Sequence, residues 1–253
     1  MKKALSYLFI FIGIQLLGGA AIPPIWYYAT GSLDKTMGLL LTMSVITSII
    51  TMAVFLYWHW TEVSPRWLRT RPWMVLFWSV IAALGALIPS IWMQEQMPEL
   101  PNLMQTEFGM MLSDRWGYFV IGLLAPFTEE MVFRGAILRK LLDSYSPWKA
   151  IALSAFFFSL IHMNPVQMPH AFLIGLLLGW MYWRTGSILP GIAQHWANNS
   201  AAYVIYTFYP DDDTKLVDVF KGSETHVVLA LVFSLLILLP ALYQLHVWMR
   251  RAE

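Results

Sequence analysis

Cysteine is absent from the 253-residue chain, and charged residues are scarce. Without cysteine there is no disulfide framework, no thiolate nucleophile and no cysteine-ligated metal site. Charged residues make up 12% of the chain, against about 25% in soluble domains, while 58% are hydrophobic. This composition cannot cover a water-facing surface, which argues against a soluble enzyme. The net charge of +1 also argues against nucleic acid as a partner, because phosphate binding needs a concentrated basic surface.

Long apolar runs occupy most of the chain. A helix needs about 20 mostly apolar residues to cross about 30 Å of hydrocarbon. The runs are too long for the strands of a membrane barrel, and they lack the alternation of such strands. They predict an all-α, polytopic membrane helix bundle with about eight transmembrane helices, at 4–28, 36–60, 72–93, 115–140, 147–164, 168–184, 187–208 and 226–248.

The first run has some features of a secretory signal peptide, because it follows Lys2 and Lys3. It continues, however, through Pro23 and Pro24 into an aromatic stretch, and seven more runs follow. We therefore expect the first helix to be retained in the protein.

The distribution of lysine and arginine predicts the orientation in the membrane. With the N-terminus in the cytoplasm and eight alternating spans, the inner segments hold eleven basic residues, namely Lys2, Lys3, Arg66, Arg69, Arg71, Arg139, Lys140, Lys149, Arg184, Arg250 and Arg251. The outer segments hold four, namely Lys35, Arg115, Lys215 and Lys221. We expect an integral multi-pass protein of the bacterial plasma membrane with both termini in the cytoplasm. Residues 94–114 would form an outer loop with a short interfacial helix, and 209–225 an acidic outer loop that includes Asp211, Asp212 and Asp213.

Adjacent glutamates interrupt the fourth run. An ionised residue near the membrane centre costs about 2.5–3.5 kcal/mol, so it usually lies inside a bundle or a wet cavity and is paired. Glu130 and Arg134 are four residues apart, share a helix face and can form an ion pair. Glu129 points about 100° away from Glu130 and has no basic residue within one turn. We therefore expect Glu129 to be the reactive carboxylate, with a snorkelling cluster near the cytoplasmic end as the alternative.

Pro126 lies three residues before Glu129. Since proline lacks a backbone N–H, an α-helix at this point leaves the carbonyl of Gly122 without its usual partner. In lipid that carbonyl must find water or a side chain. We therefore expect a kink and a wet pocket beside Glu129, and a kink without functional consequence is the alternative.

Histidine and asparagine residues mark the later runs. His195 and Asn199 are four residues apart, and together they can donate hydrogen bonds to a developing oxyanion. Alternatively, they hold membrane helices together by hydrogen bonds. His162 ends the apolar part of the fifth run and, taken alone, fits an interfacial histidine. His170 lies near the start of the sixth run, and we interpret it as interfacial.

Together these segments resemble the CAAX protease and bacteriocin-processing family of intramembrane proteases. The three motifs of that family occur here in order on hydrophobic segments, as Glu129-Glu130…Arg134, Phe158…His162 and His195…Asn199. The resemblance divides a single membrane domain into N-terminal helices with an outer loop at 1–114, a CAAX-protease-like catalytic core at 115–208, and an outer loop with the last helix at 209–253.

The resemblance implies an endopeptidase that hydrolyses peptide bonds inside the membrane. Glu129 would activate a water molecule with the help of His162. His195 and Asn199 would hold the carbonyl oxygen as charge builds on it, while the pair formed by Glu130 and Arg134 would support the site. The expected partners are membrane lipid and a peptide or protein substrate, with a lipidated tail as one option.

Metal dependence is left open by the resemblance, because family members have been described both as metalloproteases and as metal-independent glutamate proteases. Glu129, His162 and His195 would form a two-histidine, one-carboxylate zinc set as the alternative. The chain lacks the His-Glu-x-x-His helix of many zinc proteases. We therefore expect no metal and no other cofactor.

Buried charge also fits two other classes of function. A transporter or proton pathway uses buried acids and histidines, but the sequence has no inverted repeat and no matched pair of broken helices. A non-catalytic self-immunity scaffold would not need the intact motifs.

Helix geometry raises one difficulty for the site. At about 1.5 Å per residue, Glu129 lies about 21 Å from the outer end of its run and His162 about 22 Å from the inner end of its own. The two meet only if the fifth helix tilts or starts deeper, or if Pro126 breaks the fourth.

Overall fold

Helices provide the regular structure of this protein. The computed structural model describes residues 1–32, 34, 36–62, 65–69, 72–210 and 214–250, and no β-strand occurs within these ranges. The predicted all-α membrane bundle is therefore confirmed. Some residues assigned above to loops or a terminus lie outside the described residues, namely Lys35, Arg71, Asp211, Asp212, Asp213 and Arg251.

The α-helices follow one another in a simple order. They are α1 (Lys2–Thr30), α2 (Met37–Tyr57), α3 (Pro65–Leu68), α4 (Trp73–Glu95), α5 (Gln105–Leu112), α6 (Arg115–Tyr118), α7 (Ala125–Glu130), α8 (Arg139–Leu142), α9 (Pro147–Leu160), α10 (Met168–Thr185), α11 (Leu189–Phe208), α12 (Leu216–Val219) and α13 (Glu224–Trp248). The π-helical segments Phe119–Leu124 and Met131–Leu138 join α6, α7 and α8 into one helical stretch over 115–142.

Among the residues that the structure describes, four helices are long and apolar enough to cross a membrane, namely α1, α2, α4 and α13. On α13, large apolar side chains such as Phe233, Leu236 and Leu239 are exposed. A surface of this kind is stable against lipid and unstable against water. The protein is therefore an integral membrane protein, and the short helix expected in the outer loop is α5.

The other predicted spans, at 115–140, 147–164, 168–184 and 187–208, are helical as well, but not all of them are continuous, regular α-helices over the predicted length. The fourth run becomes the mixed α and π stretch over 115–142. The fifth run ends earlier than expected, because α9 stops at Leu160 and His162 lies in the turn that follows. At the end of α10, Gly186 takes the left-handed conformation with φ of 67°, which closes the helix and lets α11 return beside it.

Close helix contacts hold the middle of the bundle together. α9 and α10 approach so closely at Gly175 that a Cβ there would lie 2.9 Å from the Cα of Ala155. The main core lies between α1, α2, α9, α10 and the Met131–Leu138 segment. α4 packs against α11 and α13. This arrangement places α7 between α2 and α11, where its polar residues face other helices.

Candidate active site

The backbone before α7 departs from the α-helical pattern. The amide of Ala125 donates to the carbonyl of Val120, five residues earlier. In this π register, the backbone N–H of residue 126 would donate to the carbonyl of Ile121. Pro126 has no N–H, so this bond cannot form. The prediction assumed α geometry and therefore named the carbonyl of Gly122, whereas the π register points to the carbonyl of Ile121.

A side chain of α11 satisfies the Ile121 carbonyl. The Nδ2 of Asn199 donates to it at 3.0 Å. Nearby, Tyr118 Oη lies 3.1 Å from Ser200 Oγ and accepts from Trp196 Nε1 at 3.2 Å. Pro126 and the π turn thus leave the Ile121 carbonyl available as a hydrogen-bond acceptor. The bond to this carbonyl holds the Asn199 side chain in place.

Glu130 and Arg134 form a buried ion pair. Arg134 Nη1 donates to Glu130 Oε1 at 2.8 Å, and both side chains are 0% exposed. Arg134 Nη2 also donates to the carbonyl of Gly175 at 3.3 Å, and the guanidinium lies 4.4 Å from the centre of the Phe158 ring. Complete burial excludes the snorkelling alternative for this pair.

Glu130 also fixes the position of His195. Its Oε1 lies 3.3 Å from Nδ1 of the imidazole. The contact depends on Gly191, since a Cβ at that position would lie 2.6 Å from Glu130 Oε2. With Nδ1 held by Glu130, the opposite nitrogen Nε2 faces Glu129, and it lies 3.8 Å from Glu129 Oε2.

Phe158, the first residue of the Phe-x-x-x-His motif, packs between the polar side chains. Its ring lies edge-on to His162 at 4.9 Å and to His195 at 5.7 Å. The carbonyl of Phe158 accepts a hydrogen bond from Nδ1 of His162 at 2.8 Å. Nδ1 therefore carries the proton, and Nε2 of the neutral ring carries a lone pair.

A cavity of about 570 Å³ brings the predicted site residues together. It is lined mostly by apolar side chains, and its polar lining includes Glu129, His162, His195 and Asn199. They meet because π segments interrupt the helix of Glu129 on both sides of α7, and because α9 ends before His162. Glu130 and Arg134 are not part of the lining and lie behind it.

Other polar residues that the sequence analysis did not assign to the site line the same cavity, among them Ser90, His170 and Asn198. Ser90 Oγ and His170 Nδ1 are hydrogen-bonded. The interpretation of His170 as an interfacial histidine was therefore wrong. Ile174, one helical turn later on α10, lines the cavity as well. The i, i+4 spacing of His170 and Ile174 could have indicated that both residues lie on one face of α10. It could not indicate that this face lines the cavity.

The candidate zinc set was tested against the positions of the donors. In the described ranges, no group of three or more histidine, aspartate or glutamate side chains is close enough to hold a metal ion. Glu129, His162 and His195 share a cavity without converging on one point in this way. The donors therefore do not fit a bound metal in the arrangement described.

Comparison with known proteins gives a family match for the middle of the chain. Residues 112–201 match a family model described as Rce1-like, type II CAAX prenyl endopeptidase. No curated protein and no solved structure gives a significant match to the chain. The matched residues contain all three motifs, so the resemblance seen in the sequence is confirmed over residues 112–201.

Proposed function

We propose that the protein is an intramembrane endopeptidase in which Glu129 activates a water molecule. The family match supports intramembrane CAAX endopeptidase activity, and the catalytic roles are our proposal. The observation that carries it is the 3.8 Å approach of His195 Nε2 to Glu129 Oε2 at the wall of a cavity that His162 and Asn199 also line. A base and hydrogen-bond donors on one apolar-walled cavity suit the hydrolysis of an amide.

In the first step, water attacks the scissile carbonyl. Glu129 accepts a proton from this water as its oxygen bonds to the carbonyl carbon. His162 orients the water through the lone pair on Nε2, since its Nδ1 proton is engaged by the carbonyl of Phe158. The attack converts the carbonyl oxygen into an oxyanion.

Asn199 and His195 then stabilise the oxyanion. One N–H of the Asn199 amide donates to Ile121, which leaves the second N–H for the substrate. His195 donates from Nε2 while Nδ1 remains bonded to Glu130, so this step uses the doubly protonated ring. When the C–N bond breaks, the proton held by Glu129 passes to the leaving amine, and the enzyme returns to its starting state.

The decisive experiment compares the purified wild-type protein with Glu129→Gln in liposomes. The probe is an internally quenched peptide that ends in a prenylated Cys-a-a-X sequence. We expect the variant to lose about 10²–10⁴ in rate with an unchanged melting temperature. Glu62→Gln is the matched control, because the Glu62 side chain is 79% exposed, and it should cleave like the wild type.

Other results would favour the other two classes of function. Proton-coupled uptake that depends on Glu129, without cleavage by the wild type, would favour a transporter. A wild-type phenotype of Glu129→Gln would favour a non-catalytic scaffold. Either result would overturn the proposal.

We further propose that catalysis needs no metal. Support comes from the donor positions in the cavity, which do not form a metal-binding group among the described residues. We expect cleavage of the prenylated peptide to continue after incubation with a strong chelator and dialysis. Loss of activity in the chelator, followed by recovery on addition of zinc, would instead favour Glu129, His162 and His195 as ligands.

The partners and the orientation belong to the same proposal. The substrate would be a peptide or protein that enters the cavity from membrane lipid, with a lipidated tail as one form, and nucleic acid is not a partner. In a bacterial plasma membrane both termini would lie in the cytoplasm. Because the chain has no cysteine, single substitutions test this directly. An impermeant maleimide should label Lys221→Cys in intact spheroplasts and Lys2→Cys only after permeabilisation, and the reverse pattern would refute the orientation.

A further inference from the structure

A fully buried asparagine lies in the turn that carries His162. This turn spans residues 161–167, between the end of α9 and the start of α10. The side chain of Asn164 is buried, with 0% exposure, whereas its neighbour Met163 is 67% exposed. A buried amide needs hydrogen-bond partners, because leaving its donors and its acceptor unpaired costs free energy. The partners of Asn164 therefore show what holds the turn in place.

Asn164 connects this turn to the loop that follows α4. Its Oδ1 accepts from the backbone N–H of Leu103 at 2.9 Å, and its Nδ2 donates to Oδ1 of Asn102 at 2.9 Å. Both partners lie in the segment between α4 and α5. The backbone carbonyl of Asn164 accepts from the N–H of Met168, the first residue of α10, at 3.2 Å. One residue thus joins the loop, the turn and α10.

The backbone between His162 and Asn164 is held in an unfavourable conformation. Met163 has a φ of 47°, in the left-handed region that residues with a Cβ rarely adopt. Its side chain is exposed, so packing of that side chain does not maintain the conformation. Backbone strain persists where the surrounding contacts impose it. Here these contacts lie on both sides of Met163, namely the bond from His162 Nδ1 to the Phe158 carbonyl at 2.8 Å and the bonds of Asn164.

We propose that Asn164 is a positioning residue for His162. The inference rests on the proposed peptidase function, in which His162 orients the attacking water. Asn164 is not part of the cavity lining, and it acts through the backbone of the turn. Without its bonds to the loop, Met163 can leave the left-handed region, and the imidazole then moves away from the Phe158 carbonyl. The loss should therefore fall on turnover more than on substrate binding.

Two substitutions of Asn164 separate hydrogen bonding from packing. Asn164→Leu keeps a side chain of similar size but cannot bond to the loop. Asn164→Asp keeps an oxygen that can accept from Leu103, and the amide of Asn102 can turn to donate to its second oxygen. We expect Asn164→Leu to lower kcat for the prenylated peptide about tenfold with less than about a twofold change in KM, and Asn164→Asp to keep most of the wild-type kcat. Gln105→Leu, at an exposed amide at the start of α5, is the matched control and should cleave like the wild type.

The double variant with His162→Ala provides the critical test. If Asn164 acts through His162, adding Asn164→Leu to His162→Ala should cause no further loss of the residual rate. An equal fold-loss in both backgrounds would overturn the inference, and so would an unchanged kcat in Asn164→Leu or a change confined to KM or melting temperature. If Asn164→Leu does not fold, Asn102→Ala takes its place under the same criteria, because it removes the exposed partner of the Asn164 amide. If the wild type does not cleave the peptide, the proposed function itself fails.

A measurement without substrate tests the inference independently of activity. In protein labelled with ¹⁵N-histidine, the His162 signals are assigned by their loss in His162→Ala. They should report a protonated Nδ1 and an accepting Nε2, because Nδ1 donates to the Phe158 carbonyl. Asn164→Leu should replace this state with a mixture of the two tautomers, and Asn164→Asp should retain it. A His162 tautomer that Asn164→Leu leaves unchanged would overturn the inference whatever the activity.

Discussion

Pro126 is predicted to support activity at the expense of stability. Its missing N–H leaves the Ile121 carbonyl to Asn199, which donates to it at 3.0 Å. Pro126→Ala supplies a backbone N–H at position 126. In the register set by the bond from Ala125 to Val120, that N–H points to the Ile121 carbonyl. The variant therefore competes with Asn199 for its anchor.

The two consequences have opposite signs. Proline inside a helix costs about 3 kcal/mol relative to alanine, so Pro126→Ala should stabilise the fold by up to about that amount. A typical hydrogen bond contributes about 0.5–1.5 kcal/mol. Weakening the anchor of Asn199 by this amount lowers kcat roughly two- to tenfold. A variant that melts higher but cleaves more slowly is the expected result.

The assay measures thermal unfolding in detergent and cleavage of the prenylated peptide on the same samples. Pro240→Ala is the matched control, because Pro240 lies inside α13 and is exposed on the outer surface of the bundle. It should change stability without changing kcat. Full activity of a stabilised Pro126→Ala would refute the dependence of Asn199 on the orphaned carbonyl. A further loss of activity when Pro126→Ala is added to Asn199→Ala would refute it as well.

Two other substitutions test the packing behind the cavity. Gly191→Ala places a Cβ 2.6 Å from Glu130 Oε2, so we expect a loss of at least about tenfold in kcat as the imidazole contact is displaced. Gly13→Ala, which meets nothing within 4 Å, should have no effect in the same cleavage assay. Arg134→Met leaves the buried Glu130 without its cation and should destabilise the protein by about 3–5 kcal/mol in denaturant unfolding. Recovery of much of that stability when Glu130→Gln is added would confirm the cause, and a single variant as stable as the wild type would contradict it.

Local spacing was sufficient to predict part of the site. The pair formed by Glu130 and Arg134 was predicted from the i, i+4 rule, because both residues belong to one continuous helical stretch. The all-α fold was equally accessible, since the scarcity of charge and the length of the apolar runs leave few other architectures. These predictions need no knowledge of which helices are neighbours.

The remaining features depend on contacts between distant segments. The π turn before α7 makes Ile121 the residue whose carbonyl faces Pro126 and accepts from Asn199, and a rule based on α-helical geometry points to Gly122 instead. His170 was misjudged for a related reason. Its partner Ser90 lies on α4, and no spacing within α10 reveals it.

The adjacent glutamates illustrate how the bundle separates two identical groups. Helix geometry turns them about 100° apart, so one meets the protein interior and the other meets the cavity. Glu130 interacts with both Arg134 and His195, and its burial is tolerated because these partners compensate its charge. Glu129 keeps about a fifth of its side chain exposed and approaches His195 from the cavity side. Exchanging the two environments would therefore require a rotation of α7, and no change of residue type would achieve it. This is why the local twist imposed by the flanking π segments is as important to the site as the carboxylates themselves.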